Sequence, residues 1–309
     1  MKKCLIVITG PTGIGKSKTG ILLAKHFQSE IISADSRQIF KEMTIGTAVP
    51  TKEELSAVTH HFIHSHSVIE NYNASRYETE AIELIEKLFA SNNVLFLVGG
   101  SMLYIDAICK GIDEIPDIPA EIRESVQNQF RTEGLESIRL QLKKLDPEYY
   151  HSVDLKNHAR IIHALEVCLL TGKTYSSFRL KRNKQRSFKI VKIGLNCDRE
   201  LLHNKINNRV DQMVAHGLEK EARNLFHLRD LSSMNTVGYR ELFDYFDGII
   251  TKDQAIELIK RNSRRYARKQ ITWFRNDPDV KWFEPDGFEK IKSYIEAQKI
   301  GRASCRERV

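Results

Sequence analysis

The sequence lacks any long apolar stretch. None of its apolar runs reaches about eighteen residues, the length that a membrane-spanning helix needs. Met1, Lys2 and Lys3 lead directly into the short apolar run that begins at Cys4, and no signal-peptide core with a cleavage site follows. These absences predict a cytoplasmic protein with no membrane partner.

Paired cysteines are also missing. The five cysteines are scattered, with no Cys-x-x-Cys pair, at Cys4, Cys109, Cys168, Cys197 and Cys305. This spacing suggests neither a zinc knuckle nor a disulfide framework, so buried free thiols are expected. Neither an internal repeat nor a low-complexity tract is present, and 41% hydrophobic and 28% charged residues are typical of an ordered globular chain.

Chain length and net charge narrow the expected domain organisation and the expected kind of partner. The 309 residues exceed the usual size of one compact domain, so two domains or one domain with an insertion are expected. The formal charge of +8 favours a polyanionic partner. Residues 300–309 follow an apparently finished helix and are expected to be a non-native tail, and the chain stays basic without them.

Short apolar runs rich in β-branched residues predict a parallel sheet. Leu5–Thr9 and Val94–Val98 are each followed by a glycine-bearing turn and a helix-like segment, and Lys189–Leu195 could return the chain to the same sheet. From about 115 to 186, helix-like segments are broken by proline and glycine. The predicted parts are a core in 1–114, a helical insertion domain in 115–186, and a mainly helical second core part in 187–299.

One motif carries a specific chemistry. Residues 10–17 fit G-x-x-x-x-G-K-[ST], directly after a strand and at the start of a helix, where backbone N–H groups can cradle phosphate oxygens. The fold class predicted is therefore α/β, a P-loop NTPase-like parallel sheet flanked by helices with an inserted all-helical domain. Ser17 is also the expected ligand for Mg²⁺. The predicted diphosphate- or nucleotide-binding residues are Gly10, Pro11, Thr12, Gly13, Ile14, Gly15, Lys16 and Ser17.

The P-loop does not say which phosphate compound binds. Nucleotide hydrolases and kinases need an acidic residue at the end of a later strand to help hold the metal. Here Val94–Val98 runs into Gly99, Gly100 and Ser101, with no carboxylate before Asp106. A small-molecule kinase is left as an alternative that this strand end weakens.

The sequence resembles the tRNA dimethylallyltransferase (isopentenyl-tRNA transferase) family over nearly the whole chain, to about Lys299. The resemblance lies in six short signature blocks that occur in the same order as in the family. The blocks are the Pro-Thr-x-x-Gly-Lys form of the P-loop, 33–40, 46–48, 99–104, 237–240 and 264–275. The sequence departs from the family at Phe40, Val49 and Ser101, where Tyr, a polar residue and Thr are usual. The resemblance implies transfer of dimethylallyl from its diphosphate to the exocyclic amine of the adenosine 3′ of the anticodon.

The catalytic candidates follow from the chemistry and from the resemblance together. A carboxylate that accepts the amine proton is useful, because adenine's amine is a poor nucleophile. Asp35 suits this role, although capping of the following helix is the alternative. The resemblance implies that Arg209 contacts the diphosphate. Thr47 and Ser101 are expected to place hydroxyls near the reacting centre, or else to bond turns and caps.

RNA contacts are also implied by the resemblance. The residues concerned are Asp35, Ser36, Arg37, Gln38, Ser101, Arg123, Ala159, Arg160, Ile161, Ile162, His163, Asn235, Thr236, Val237, Gly238, Tyr239 and Arg240. A predicted helix over 253–275 adds an arginine stripe on one face, at Arg261, Arg264, Arg265, Arg268 and Arg275, expected to contact phosphates. Trp273 and Trp282 are expected in the core.

The partners predicted are a tRNA anticodon stem-loop and dimethylallyl diphosphate, and a monomer is expected. Two further alternatives stay open. An isopentenyltransferase acting on free adenine nucleotides would share the chemistry but would not need the insertion or the basic helix. A non-catalytic RNA-binding module would leave the P-loop unexplained.

Overall fold

The computed structural model describes residues 3–179 and 183–300, without the side chain of Ile300. The tail expected at 300–309 therefore lies outside the described residues, apart from the backbone of Ile300. Six strands occur in the described part of the chain: β1 (Cys4–Thr9), β2 (Ile31–Ala34), β3 (His60–His61), β4 (Val94–Gly99), β5 (Lys189–Leu195) and β6 (Val280–Phe283).

Helices make up most of the remaining described chain. They are α1 (Lys16–His26), α2 (Lys52–Ala57), α3 (Ala74–Leu88), α4 (Met102–Lys110), α5 (Ala120–Leu145), α6 (Pro147–Ser152), α7 (His158–Thr171), α8 (Tyr175–Phe178), α9 (Arg199–Ala215), α10 (Leu218–Leu225), α11 (Tyr239–Phe246), α12 (Lys252–Arg275) and α13 (Phe288–Ile300). Within the described ranges, none of these helices is both long enough and apolar enough to cross a bilayer.

All six strands run parallel, in the order β3-β2-β4-β1-β5-β6. Every residue of β1 and β4 is buried, as expected for strands covered by helices on both faces. Ile6 and Ile8 pack on one face with α1 and α13, whereas Leu5 and Val7 pack on the other face with α3 and α4. The predicted α/β fold, a P-loop NTPase-like parallel sheet flanked by helices, is confirmed.

The register of the central strands brings three turns together. Ala34 pairs with Gly99 and Ile8 pairs with Val98, so β1, β2 and β4 end at one edge of the sheet. The turns that follow begin at Gly10, Asp35 and Gly100. In open α/β sheets, ligands bind outside this carboxyl edge.

A separate hydrophobic cluster supports the segment that follows Asp35. Ile39 and Met43 from this segment are buried against α10, α11 and α12. Leu218 of α10 and Tyr239 of α11 are fully buried in the same cluster. The cluster fixes the path of the chain from the end of β2 to about residue 48.

The chain divides into two compact units. Residues 110–184 form the second unit, and the other described residues form the first; the sequence places the insertion at 115–186. The second unit contains α5 to α8 around a core that includes Ile138, Leu142 and Ile161. Gly134, at φ +80°, breaks α5, as its place among the predicted helix breakers suggests.

Two strands and one tryptophan differ from the predictions. β3 has only two residues, and β6 lies at a sheet edge with three of its four residues not buried, so neither shows the apolar run of a central strand. Trp282 packs against the core, but Trp273 is 40% exposed and donates to Asp106 Oδ2 at 3.0 Å. The prediction that Trp273 is a core residue is wrong, because that side of α12 faces solvent and α4.

Candidate active site

The P-loop connects β1 to α1 and requires glycine where other elements approach it. A Cβ atom at Gly10 would lie 2.5 Å from the carbonyl oxygen of Leu195, and one at Gly13 would lie 2.9 Å from Ile206 Cγ1. Gly15 has φ +106° and forms the N-cap of α1. The helix therefore begins at Lys16 with its first N–H groups directed into the loop, as an anion site requires.

Lys16 is the loop's mobile cation. Its Nζ donates to the carbonyls of Gly10 at 3.0 Å and Pro11 at 2.9 Å. Burial lowers the pKa of Lys16 to about 7; the Asp35 carboxylate opposes this shift, and the Arg209 cation adds to it. Near neutral pH, the ammonium is thus in balance with the neutral amine.

This pKa makes the uptake of a proton a testable property of ligand binding. At about pH 8 Lys16 is mostly neutral, and a diphosphate anion beside it favours the charged form, so binding should take up as much as about one proton. At about pH 6 Lys16 is already charged, and uptake should be small. Calorimetry with inorganic diphosphate in two buffers of different ionisation enthalpy measures this number.

The matched control for that measurement is Lys16→Arg, since the guanidinium keeps the charge but does not titrate. The variant should bind diphosphate with only the proton exchange of the ligand itself. The same proton uptake at pH 8 in both proteins would contradict the assignment to Lys16.

A residue that the sequence reasoning missed ties the loop to the neighbouring turn. Gln270 of α12 is buried; its Oε1 accepts from Thr12 N at 2.8 Å, and its Nε2 donates to Gly100 O at 2.8 Å. A Cβ atom at Gly100 would collide with that Nε2. The second glycine of the Gly99-Gly100 turn is therefore needed to admit Gln270.

Replacing Gln270 with leucine should weaken both the fold and the loop. The change leaves Thr12 N and Gly100 O without their partner, which costs about 2 kcal/mol of unfolding free energy. Urea unfolding measures this loss, and the KM for the phosphate substrate should rise. Gln212→Leu, at an exposed position of α9, is the control. Equal unfolding free energies for the two variants would refute the bridging role.

Asp35 follows β2 and lies at the sheet edge. Its Oδ1 accepts from the backbone N–H groups of Arg37 at 2.9 Å and Gln38 at 3.3 Å. Among the described residues, the hydrogen bonds to this carboxylate all end at Oδ1. Asp35 therefore does cap the following turn, and Oδ2 is left for another ligand.

A cavity of about 290 Å³ joins Asp35 to the P-loop. Thr12 and Arg209 line it, and Arg209 Nη1 lies 3.5 Å from Thr12 Oγ1. Burial lowers the pKa of Arg209, and the carboxylate of Asp35 opposes this shift. One cavity thus holds a carboxylate, an arginine and the mouth of the P-loop.

Tyr266 and Arg37 complete the wall near Asp35. Burial, and then the charge of Asp35, raise the pKa of Tyr266 to about 12. Arg37 Nη1 donates to Ser233 O at 2.9 Å, and burial lowers its pKa against the pull of Asp35. Tyr266 lies within a signature block but was not singled out, because one tyrosine in a helix resembles a core residue.

Ser101 belongs to a second cavity, of about 350 Å³. Its Oγ accepts from Ser36 N at 2.7 Å and donates to Ser36 Oγ at 3.0 Å. Ser36, Arg37 and Tyr266 line both cavities. The two cavities therefore lie on either side of these three residues.

The predicted RNA contacts at 235–240 in the first unit include residues that line the first cavity, one exposed residue and one buried residue. Asn235, Thr236, Val237 and Gly238 line the first cavity, and Arg240 is exposed. Tyr239 is fully buried, and its hydroxyl donates to Glu221 Oε1 at 2.6 Å. The assignment of Tyr239 to RNA contact is corrected, since the ring has no accessible surface.

Thr47 and Gln38 are engaged by the backbone. Thr47 Oγ1 donates to Met43 O at 2.8 Å and Thr44 O at 3.3 Å, so its hydroxyl hydrogen serves the turn. Gln38 Nε2 donates to the carbonyls of Thr47 at 3.1 Å and Ala48 at 2.9 Å. The turn-bonding alternative fits Thr47 best, although the residue lines the first cavity.

The second unit holds the remaining RNA candidates. The buried carboxylate of Glu166 lies 3.9 Å from Arg123 Nε and 3.6 Å from His163 Nδ1. Ala159 and Arg160 are exposed. Ile161 and Ile162 are buried in the helical core, so their assignment to RNA contact is also corrected.

The fold and the site together define a P-loop enzyme whose phosphate loop opens into a cavity that also holds a carboxylate and an arginine. The sequence model of the IPP transferase family matches residues 38–277. The chain belongs to the IPP transferase family, and the resemblance found in the signature blocks is confirmed.

Individual relatives match this chain along almost its full length. The chain is 52% identical over 295 residues to tRNA dimethylallyltransferase 1 of Bacteroides fragilis, covering 96% of this chain and 98% of that protein. It is similar to the crystal structure of a tRNA isopentenylpyrophosphate transferase from Bacillus halodurans, at 36% identity and a TM-score of 0.70, covering 96% and 97% of the two chains. A eukaryotic dimethylallyltransferase structure, at 23% identity and a TM-score of 0.78, covers 96% of this chain and 78% of that one, and agrees in fold.

Proposed function

We propose that this chain is a tRNA dimethylallyltransferase, which transfers dimethylallyl from dimethylallyl diphosphate to the exocyclic amine of the adenosine 3′ of the anticodon. The family and the relatives' names support this reaction. The observation that carries it is the single cavity that joins Asp35 to Thr12 of the P-loop and to Arg209. A proton acceptor and an anion cradle are the two parts that the reaction needs.

The step balances with these groups. The adenine amine forms a bond to the allylic carbon while the bond from that carbon to the diphosphate oxygen breaks, and the amine proton passes to the free Oδ2 of Asp35. Negative charge grows on the departing diphosphate. Lys16, Arg209 and the N–H groups at the start of α1 stabilise that charge.

Mg²⁺ fits this site only as a substrate-held ion. Ser17 offers one hydroxyl in the first turn of α1, and no group of three His, Cys, Asp or Glu suited to a metal occurs among the described residues. Mg²⁺ commonly binds through one or two protein oxygens plus phosphates and water. When bound, it would neutralise charge on the diphosphate.

A kinase is disfavoured by the end of β4. A Cβ atom at Gly99 would collide with the carbonyl of Ala34, and one at Gly100 would collide with Gln270. No metal-binding carboxylate can therefore replace either glycine without displacing its neighbours. A free-nucleotide isopentenyltransferase shares the cavity chemistry, and the choice of acceptor separates it from the main proposal.

We assign the two cavities to the two substrates. The first cavity, next to the P-loop, takes the dimethylallyl diphosphate, and the second, beside Ser101 and the buried ring of Tyr104, takes the extruded adenosine. Ser36, Arg37 and Tyr266, which line both cavities, then stand between them, and Asp35 lies in the wall of the first. The other proposed RNA contacts are Ser101, Arg123, Ala159, Arg160, His163, Arg240 and 235–238.

The arginine stripe of α12 is a further proposed contact with RNA phosphates. Arg261, Arg264, Arg265, Arg268 and Arg275 line one pocket together with Arg199 of α9. Arg264 Nη1 donates to Asn207 Oδ1 at 2.5 Å, and among the described residues no carboxylate pairs with the exposed members of the stripe. Several uncompensated guanidinium groups in a row suit a polyanion.

The test offers the enzyme three acceptors. The protein is incubated with Mg²⁺, radiolabelled dimethylallyl diphosphate, and unmodified tRNA, AMP or ATP in separate reactions. Label in tRNA alone supports the proposal, and label in AMP makes the enzyme a free-nucleotide transferase. Consumption of ATP without transfer of label favours the kinase. A monomeric state and a cytoplasmic location stay predictions.

A further inference from the structure

Glu221 of α10 binds a segment that is distant in sequence. Its Oε2 accepts from the backbone N–H groups of Thr44 at 3.0 Å and Ile45 at 2.8 Å. Its Oε1 accepts from Gly46 N at 2.9 Å and from the Tyr239 hydroxyl at 2.6 Å. One carboxylate thus receives four hydrogen bonds, three of them from consecutive backbone N–H groups.

Close packing accompanies these bonds. A Cβ atom at Gly46 would lie 2.6 Å from the ring of Tyr239, so the segment approaches that ring as only glycine permits. Burial and then Glu221 raise the pKa of Tyr239 well above its ordinary value, which keeps its hydroxyl a donor. Gly46 and Tyr239 belong to two separate signature blocks, and Glu221 lies outside both.

A chain of hydrogen bonds continues from this segment to the carboxylate of the active site. The carbonyls of Thr47 and Ala48 accept from Gln38 Nε2 at 3.1 Å and 2.9 Å. Gln38 N in turn donates to Asp35 Oδ1 at 3.3 Å. Gly46 and Thr47 also line the cavity that contains Asp35.

Among the described residues, the carboxylate of Glu221 accepts these hydrogen bonds and takes part in no ion pair. Among the described residues no lysine or arginine forms an ion pair with it, whereas Glu219 on the same helix pairs with Lys252 at 2.8 Å and Arg223 at 3.4 Å. A carboxylate accepts more strongly than a neutral oxygen and can serve donors at both of its oxygens. The segment 44–46 is therefore held by a charge-assisted clamp.

We infer that Glu221 is a positioning residue, which fixes residues 44–46 and thereby the cavity wall at Gly46 and Thr47 and the orientation of Asp35. This inference rests on the proposed function, because it gives Asp35 the role of proton acceptor. Glu221 itself touches no reacting atom.

The test uses two variants and a matched control. Glu221→Gln keeps the size of the side chain but leaves one oxygen, so the amide group can no longer accept from one of the two donor pairs. Tyr239→Phe removes a single hydrogen bond and keeps the ring that packs on Gly46. Glu219→Gln makes the same charge change two residues away, without contact to residues 44–46.

Two readouts are measured on the full chain. Amide hydrogen exchange of residues 44–46 should rise in Glu221→Gln and stay unchanged in Glu219→Gln. The kcat for tRNA prenylation should fall at least about 10-fold in Glu221→Gln, and less in Tyr239→Phe, while the Kd for inorganic diphosphate changes less than about 2-fold. The difference is expected because inorganic diphosphate lacks the dimethylallyl group, and among the described residues no hydrogen bond joins the P-loop to residues 44–46.

If residues 44–46 exchange at the same rate in Glu221→Gln as in Glu219→Gln, Glu221 does not hold this segment. This conclusion does not depend on the enzyme's substrate. A loss of kcat that vanishes after correction for the folded fraction would reduce Glu221 to a structural role and overturn the positioning. If Glu221→Gln does not fold, Tyr239→Phe decides by the same two measurements. If the wild-type protein prenylates no tRNA, the proposed function is refuted. The hydrogen-exchange measurement then still tests whether Glu221 holds residues 44–46.

Discussion

Asp35→Asn should lower kcat for tRNA prenylation by about 10² to 10⁴-fold, because the amide cannot accept the amine proton. The two side chains have the same shape, and an amide oxygen can still accept from Arg37 N and Gln38 N. The turn is therefore expected to survive. The loss should appear in the chemical step, measured by single-turnover kinetics.

The same change should not weaken binding of the diphosphate. Burial lowers the pKa values of Lys16 and Arg209, and the Asp35 carboxylate opposes this shift; the same negative charge also repels an anion bound beside these cations. Without this carboxylate, the KM for dimethylallyl diphosphate should be unchanged or lower. Asp253→Asn, at an exposed position in the first turn of α12, is the control for a general charge effect. An active Asp35→Asn enzyme would remove Asp35 from the mechanism.

Arg209→Gln should lower kcat/KM for dimethylallyl diphosphate by about 10² to 10³-fold. Arg209 lies in the cavity wall, 3.5 Å from Thr12 Oγ1, where a cation can meet the leaving group. Glutamine retains a donor but loses the charge that stabilises the developing anion. The KM for the diphosphate should rise, which is the opposite of the change expected for Asp35→Asn.

Arg229→Gln is the matched control for this variant. Arg229 is exposed, and its guanidinium lies 4.4 Å from the ring centre of Phe226, away from the cavity. Steady-state kinetics of both variants with varied diphosphate substrate gives the comparison. Equal kcat/KM values for Arg209→Gln and Arg229→Gln would show that Arg209 does not act on the leaving group.

Much of the fold could be predicted because its central strands carry local signals. Lys189–Leu195 forms β5 as predicted, and the runs at Leu5–Thr9 and Val94–Val98 each extend by one residue in β1 and β4. Both faces of β1 and β4 are covered, so nearly every side chain in these two strands is apolar. β3 and β6 were not found, because a two-residue bridge and a partly exposed edge strand leave no such run.

The active site could be predicted where a sequence motif specifies the local backbone geometry. The P-loop sequence determines both the strand before it and the helix after it, and family resemblance added Asp35 and Arg209. Glu221 lies outside every signature block, and Gln270 lies inside the block 264–275 without being singled out. Both are single polar residues on helices whose partners lie far away in sequence, so no local pattern indicates their roles. Their role follows from tertiary contacts alone.

Some signature residues were given the wrong role for a related reason. Tyr239 stands in a signature block, but the block is explained by packing on Gly46 and by the bond to Glu221. Ile161 and Ile162 fall within a segment that resembles an RNA-binding one, yet α7 turns both into the core of the second unit. A motif identifies a segment, whereas burial decides which of its side chains can meet a ligand.

We propose that Asp35 and the P-loop act together on one adenosine of tRNA. The most direct test is nucleoside mass spectrometry of unmodified tRNA after incubation with the protein, Mg²⁺ and dimethylallyl diphosphate, with position assigned from nuclease fragments. With the wild-type protein we expect one added C5H8 unit on the adenosine 3′ of the anticodon, and with Asp35→Asn we expect none. Unmodified tRNA after incubation with the wild-type protein, or addition at another nucleoside, would contradict it.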